Sequence, residues 1–129
     1  MTDSRLEQWH QVVFQRDQEL LRQLLAENIE FHSPTVWKPK HGRDVAQFIL
    51  MNVIDIFQGF EYHRQWVDGN EMALEFSATV EDKSIKGIDL IRWDDNGQII
   101  HFEVMVRPLN GLQKLFDEMN ARVVAAGFA

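Results

Sequence analysis

The chain has 129 residues, 45% of them hydrophobic and 26% charged, enough for one domain with its own core and too few for two ordinary ones. Thirteen Lys and Arg against twenty Asp and Glu, a formal charge of -7, argue against a nucleic-acid partner or an anionic membrane surface, since both need a basic face. The absence of cysteine excludes disulfides, thiolate zinc sites and a cysteine nucleophile.

Nine Phe and four Trp against a single Tyr bring large apolar area with few polar handles, as a lined cavity or a thick core requires. Residues 1–7 are polar and lack the apolar run of a secretion signal. No apolar stretch reaches membrane-spanning length. The expectation is a soluble, cytoplasmic protein.

Residues 4–16 read as a helix. Ser4 and Glu7 have capping-box spacing, and Leu6, Trp9, His10 and Val13 share a face. Asp17 caps a short second helix with the stripe Leu20, Leu21, Leu24 and Leu25. Residues 29–33 alternate as a short strand that Pro34 stops. After a loop through Trp37, Pro39 and Gly42, a third helix starts near Asp44. Its stripe is Val45, Phe48, Ile49, Asn52, Val53 and Ile56, and Gly59 is its stop.

Four strands follow, over residues 60–67, 72–81, 84–93 and 98–107, with turns at Asp68-Gly69-Asn70, Asp82-Lys83 and Asp95-Asn96-Gly97. Asn-Gly predicts a primed turn, which needs positive φ. Pro108 ends the last strand, and a final helix covers residues 112–124 with Leu112, Leu115, Phe116, Met119 and Val123 on one side. The order α-α-β-α-β-β-β-β-α makes the chain α+β, with an antiparallel meander packed on helices. In the last strand Ile100, Phe102, Val104 and Val106 alternate with Ile99, His101, Glu103, Met105 and Arg107. The outer sheet face is therefore mixed rather than plainly solvated, which predicts a homodimer through that face.

The run Ile29-Glu30-Phe31-His32-Ser33-Pro34, the helix start Gly42-Arg43-Asp44 and the stretch Gly87-Ile88-Asp89-Leu90-Ile91-Arg92-Trp93-Asp94-Asp95-Asn96-Gly97-Gln98-Ile99 resemble the NTF2-like superfamily, in its SnoaL-like branch of polyketide cyclases and ketosteroid isomerases. The likeness runs over residues 5–120. It implies a single domain spanning 1–129, a cone-shaped, curved, mostly antiparallel (mixed) sheet wrapped around helices, with an apolar pocket inside. The fold hosts cyclases, isomerases, dehydratases, hydrolases and non-catalytic modules, so it implies a small apolar ligand but no particular reaction.

The ketosteroid isomerase pattern has a base Asp beside the proline after the first strand, a Tyr on the first helix and a protonated Asp on a later strand. The matching positions here are Ser33, Trp9 and Asp89. Ser33 is no proton acceptor near neutral pH, and an indole N–H is a weaker donor than a phenol. These departures weigh against steroid-isomerase chemistry.

Asp89 is the leading catalytic candidate, because the likeness turns its strand face inward and an apolar setting raises a carboxyl pKa. The alternative is a structural carboxylate bonded to backbone. His10, one residue after Trp9, is the second candidate, either as a partner of Asp89 or as an ordinary helix histidine. Expected ligand-binding residues are Trp9, Phe31, Ser33, Phe48, Asn52, Tyr62, Phe76, Trp93 and Phe102. Asn52 interrupts an apolar stripe, so it either bonds the backbone or orients a ligand. Tyr62 could supply the missing phenol from another wall. Trp37 and Trp66 are further candidates for the cavity or its mouth.

His32, His41, His63 and His101 are scattered without ligand spacing, His32 pointing outward, so no metal and no cofactor are expected. Asp94-Asp95 reads as turn, and Arg107 as an ion-pair partner of Glu103 or of a partner subunit, or as a contact to a ligand carboxylate at the cone mouth. Three functions stay open: a cofactor-free isomerase, cyclase or dehydratase working through Asp89; a ligand carrier without turnover; and a dimeric interaction domain with its cavity packed shut. An open cavity with Asp89 and a second polar group at one point favours the first.

Overall fold

The computed structural model describes residues 3–127. Asp3, not Ser4, caps the first helix: its carboxylate accepts from Arg5 N at 2.9 Å, and α1 runs Ser4–Gln15. Arg16 ends that helix at φ 52, and Asp17 caps α2 (Gln18–Leu24) by accepting from Leu20 N, as its position in the sequence suggested. Leu25 does not continue the α2 stripe. It opens β1 (Leu25–His32), because it pairs in register with Ile99 and is fully buried there. Partnership across the sheet thus overrides a helical spacing.

A two-residue strand, β2 (Lys40–His41), precedes α3 (Arg43–Ile56), which Phe57 terminates. Gly59 therefore lies inside β3 (Gln58–Asp68) rather than at the helix stop. Three further strands, β4 (Glu71–Val80), β5 (Lys83–Trp93) and β6 (Ile99–Arg107), lead to α4 (Leu109–Ala125), which begins directly after Pro108 and so earlier than the apolar stripe implied.

The strands form one six-stranded sheet in the order β2-β1-β6-β5-β4-β3. The β3–β6 meander is antiparallel, as four hairpin-linked strands require, but β1 lies parallel beside β6 and makes the sheet mixed. Register shifts interrupt β3 against β4 and β5 against β6. Such bulges bend strands and curve the sheet. The shift near Trp93 also explains why Ile99 and Phe102 are both buried, although strict alternation would put them on opposite faces.

The loop before β6 departs from the expected primed turn. Only Gly97 takes positive φ (79), whereas a type I′ turn needs it at both central residues. The Asp94 carboxylate explains the difference: Oδ1 accepts from Asn96 N and Gln98 N, both at 2.9 Å, and folds the loop around itself.

The concave face of the sheet carries the core. Trp9 and Val12 from α1, Leu21 and Leu24 from α2, and Leu50 from α3 pack onto Phe31, Leu74, Phe76, Ile91 and Phe102. Gly87 is required by close approach: a Cβ there would lie 2.5 Å from both Met105 O and Phe76 Cζ. Among the described residues, no helix is long and apolar enough to cross a membrane.

Candidate ligand pocket

An apolar pocket of about 260 Å³ opens between the end of β1, helix α3, strand β6 and helix α4. Its walls include Phe31, Ile49, Val53, Leu115, Met119 and Val123, and Ser33 and Thr35 stand at the rim. A smaller chamber of about 50 Å³ adjoins it. The two share Leu50, Val53, Phe57 and Val104 as walls. The chamber adds Trp9, Tyr62, Asp89 and Phe102. An apolar throat thus leads to a polar floor.

The floor is a chain of three side chains from three elements. Trp9 Nε1 on α1 donates to Tyr62 Oη at 2.7 Å, and Tyr62 on β3 donates to Asp89 Oδ2 at 3.2 Å. Asp89 sits mid-strand on β5, in register with Leu74 on one side and Val104 on the other. Aromatic rings fix the phenol in place: His10 stacks on it at 5.1 Å and Phe60 meets it edge-on at 4.9 Å.

Burial pushes the Asp89 carboxyl up to about 7, against the pull of the Tyr62 hydrogen bond, which favours the ionised form. Burial, then the charge of Asp89, holds the Tyr62 phenol well above its usual value, so it stays protonated. The floor therefore offers one group that can carry a proton at neutral pH and one fixed hydroxyl donor beside it.

The structure sorts the residues singled out in the sequence. Trp9, Tyr62, Asp89 and Phe102 meet at the floor, and Phe31 and Ser33 line the outer pocket. Ser33 Oγ is engaged by Thr35, through its hydroxyl at 3.1 Å and its backbone N–H at 3.3 Å. His10 does not pair with Asp89. Its Nε2 bonds Gln65 Oε1 at 2.6 Å, with its ring against the phenol. Phe48 lines neither chamber, because the buried face of α3 runs through Ala46 and Leu50 and the pocket wall continues through Val53 to Phe57.

Asn52 is bonded within the protein: its amide nitrogen donates to Phe48 O at 2.8 Å and its oxygen accepts from Arg122 at 3.2 Å. Phe76 stands behind the wall, stacked on Phe60 at 5.1 Å. Trp93 is buried away from the pocket, under the Arg5 guanidinium at 5.7 Å. Trp37 is 98% exposed and Trp66 50% exposed on the outer sheet face, so neither reaches the cavity. Glu103 meets His101 rather than Arg107, and His32 and His101 come together on the outer face instead of lying scattered.

Leu50 and Phe57 were missed in the sequence. The spacing Ala46, Leu50, Val53, Phe57 is as helical as the stripe through Val45 and Phe48, and Ala46, Leu50 and Phe57 are buried.

A family model for the SnoaL-like domain matches residues 6–102. The chain belongs to the SnoaL-like domain family. Among solved structures, this SnoaL-like protein is similar to a steroid delta-isomerase from Pseudomonas aeruginosa, with 44% identity and a TM-score of 0.91 over 98% of this chain and 93% of that one. It is also similar to an uncharacterized conserved bacterial protein with a cystatin-like fold from Silicibacter pomeroyi DSS-3, with 38% identity and a TM-score of 0.89 over 93% of this chain and 85% of that one. An NTF2-like protein of unknown function from Mesorhizobium loti shares the fold, at 18% identity and a TM-score of 0.72, over 81% and 89% of the two chains. No curated protein matches. The NTF2-like, cystatin-like α+β architecture expected from the sequence is the one the chain adopts.

Proposed function

We propose that this SnoaL-like protein is a cofactor-free acid–base isomerase of an apolar, ring-sized carbonyl compound. The observation that carries the reading is the convergence of Tyr62 and Asp89 on the floor of an apolar pocket. The ligand's ring body occupies the outer pocket and its carbonyl enters the small chamber. The 44% identity to a steroid delta-isomerase supports the same chemistry class.

In the reaction, ionised Asp89 removes a proton from the carbon next to the carbonyl. The C–H electron pair moves into the enolate, whose oxygen accepts from the Tyr62 hydroxyl as that hydroxyl turns from the newly protonated Asp89. Asp89 then returns its proton to a different carbon, so the double bond moves and no oxidant or reductant is consumed. A carboxyl that titrates near 7 suits both halves, since it is present in both forms at neutral pH. Asp89 takes the base role that Ser33 cannot fill and Tyr62 the donor role that Trp9 cannot, while Trp9 holds the phenol by its N–H.

The test is a cyclic β,γ-unsaturated ketone, followed by the rise of conjugated-enone absorbance. Turnover by the wild-type chain that falls at least a hundredfold in Asp89→Asn, with Trp fluorescence still reporting binding, is expected. Binding without turnover would leave the carrier reading, and neither binding nor turnover would leave the interaction domain.

The same reading takes the chain as one domain and as a homodimer through the outer sheet face. Trp66 and Met105 are 50% and 48% exposed there, beside the Arg64–Glu75 and Lys86–Glu75 ion pairs at 2.6 and 3.2 Å. A monomeric mass by light scattering at micromolar concentration would remove the dimer.

A further inference from the structure

The parallel pairing of β1 with β6 brings together side chains that lie far apart in the sequence. Glu30 stands in register with His101, and His32 with Glu103. Their neighbours Phe31 and Phe102 are buried in the core, so the four polar side chains share the outer sheet face. His32 Nε2 lies 2.8 Å from Glu30 Oε2, and His101 Nδ1 lies 3.3 Å from the same oxygen. The two imidazole rings are 4.8 Å apart. One ligand atom from each of Glu30, His32 and His101 falls within 4.8 Å of the others.

The far nitrogen of His101 adds an independent sign. Nε2 lies 3.4 Å from Glu103 Oε1. Metal-ligating histidines are held in this way: the outer ring N–H donates to a carboxylate, which fixes the tautomer and leaves the inner nitrogen with its lone pair. Here that inner nitrogen is Nδ1, which faces Glu30 and His32.

We propose that Glu30, His32 and His101 form a site for one divalent transition-metal ion of the Zn²⁺, Co²⁺ or Ni²⁺ type, with Glu103 as the residue that positions His101. Two imidazoles and one carboxylate suit these ions, whereas Ca²⁺ and Mg²⁺ seek oxygen donors. Ligand atoms at about 2.1 Å from one tetrahedral ion stand about 3.4 Å apart. The Glu30 oxygen already lies within that distance of both histidine nitrogens, at 2.8 and 3.3 Å, and the remaining separation, within 4.8 Å, closes by rotation of half-buried side chains at the sheet surface. Three protein ligands leave a coordination position open.

The ion would clamp β1 to β6, neighbouring strands that no hairpin joins, and so stabilise the fold by mass action. The site is separate from the Asp89 pocket and does not depend on its chemistry.

The test titrates the full chain with Zn²⁺, with Ca²⁺ as control, and reads uptake by calorimetry and melting temperature by fluorescence. One equivalent of Zn²⁺ and a raised melting temperature are expected. His101→Ala should weaken binding at least tenfold, Glu103→Gln by about ten- to a hundredfold, and His63→Ala not at all. Paramagnetic Ni²⁺ added to the wild-type chain should broaden the imidazole resonances of His32 and His101 among its five histidines, a readout that needs no variant. The proposal is overturned by the lack of saturable uptake, by equal uptake of Ca²⁺, by unchanged affinity in His101→Ala, or by broadening confined to other histidines.

Discussion

The Tyr62 hydroxyl donates to Asp89 Oδ2 across 3.2 Å, at the closed end of an apolar pocket. The bond joins the edge strand of the sheet to an interior strand two places away, and it places a phenol where the first helix offers only an indole.

Asp89 should make the protein less stable as pH rises. Its carboxyl titrates near 7 in the folded chain against an ordinary 3.8. Between those values the folded state holds more protons than the unfolded state, so stability falls with increasing pH and the full penalty is reached above 7. At about 1.4 kcal/mol per unit, the penalty is bounded at about 4 kcal/mol. Asp89→Asn should therefore be more stable than wild type at pH 8, with an advantage that shrinks toward pH 4. Urea denaturation across that range checks it, and an advantage that did not grow with pH would count against a buried charge.

Tyr62→Phe should act on two partners at once. It removes the donor to Asp89 and the acceptor of the Trp9 N–H, leaving both buried groups unsatisfied. The expected loss is about 1–3 kcal/mol. The Asp89 carboxyl should also rise above 7, because the bond that favours its ionised form is gone. Carbon-13 titration of that carboxyl reads the shift directly.

Gly87→Ala tests the packing behind the pocket. The new methyl would meet Met105 O and the Phe76 ring at 2.5 Å, and a backbone oxygen cannot move aside as a flexible side chain can. A loss of about 1–3 kcal/mol is expected. Displacement of Phe76 also presses on Phe60, which packs on Tyr62, so near-ultraviolet circular dichroism should change along with the urea midpoint.

Arg122→Ala should loosen the helix that walls the pocket. Arg122 bonds Asn52 at 3.2 Å and Asp55 at 2.7 Å, tying α4 to α3. These groups are partly exposed, so the stability cost should stay under about 1 kcal/mol. Amide exchange along α4 should nevertheless quicken, and a bound apolar probe should leave faster, since Leu115, Met119 and Val123 of α4 line the pocket. Unchanged exchange in α4 would show that apolar packing alone holds it.

Much was legible in the chain itself. Hairpin signals and alternation define the four-strand meander, and Asp17 marks its helix start because a capping carboxylate acts within three residues. Asp89 stands out as a carboxylate on an apolar alternating strand. These features are local, and periodicity records them without knowledge of the fold. The place of β1 is not local. Its parallel pairing with β6 joins segments some seventy residues apart, and only that pairing turns Leu25 from helix to strand and sets His32 beside His101. The partner of Asp89 was equally hidden. His10 looked able to pair with it, and Tyr62 to supply a phenol from another wall; in the fold the carboxylate meets the phenol and the histidine bonds Gln65. The sequence by itself determined the helices and the four-strand meander in outline and which residue types are available for chemistry. Only the tertiary structure decided which of them meet, because registers, bulges and helix rotations are set by packing between distant segments rather than by the order of neighbours along the chain.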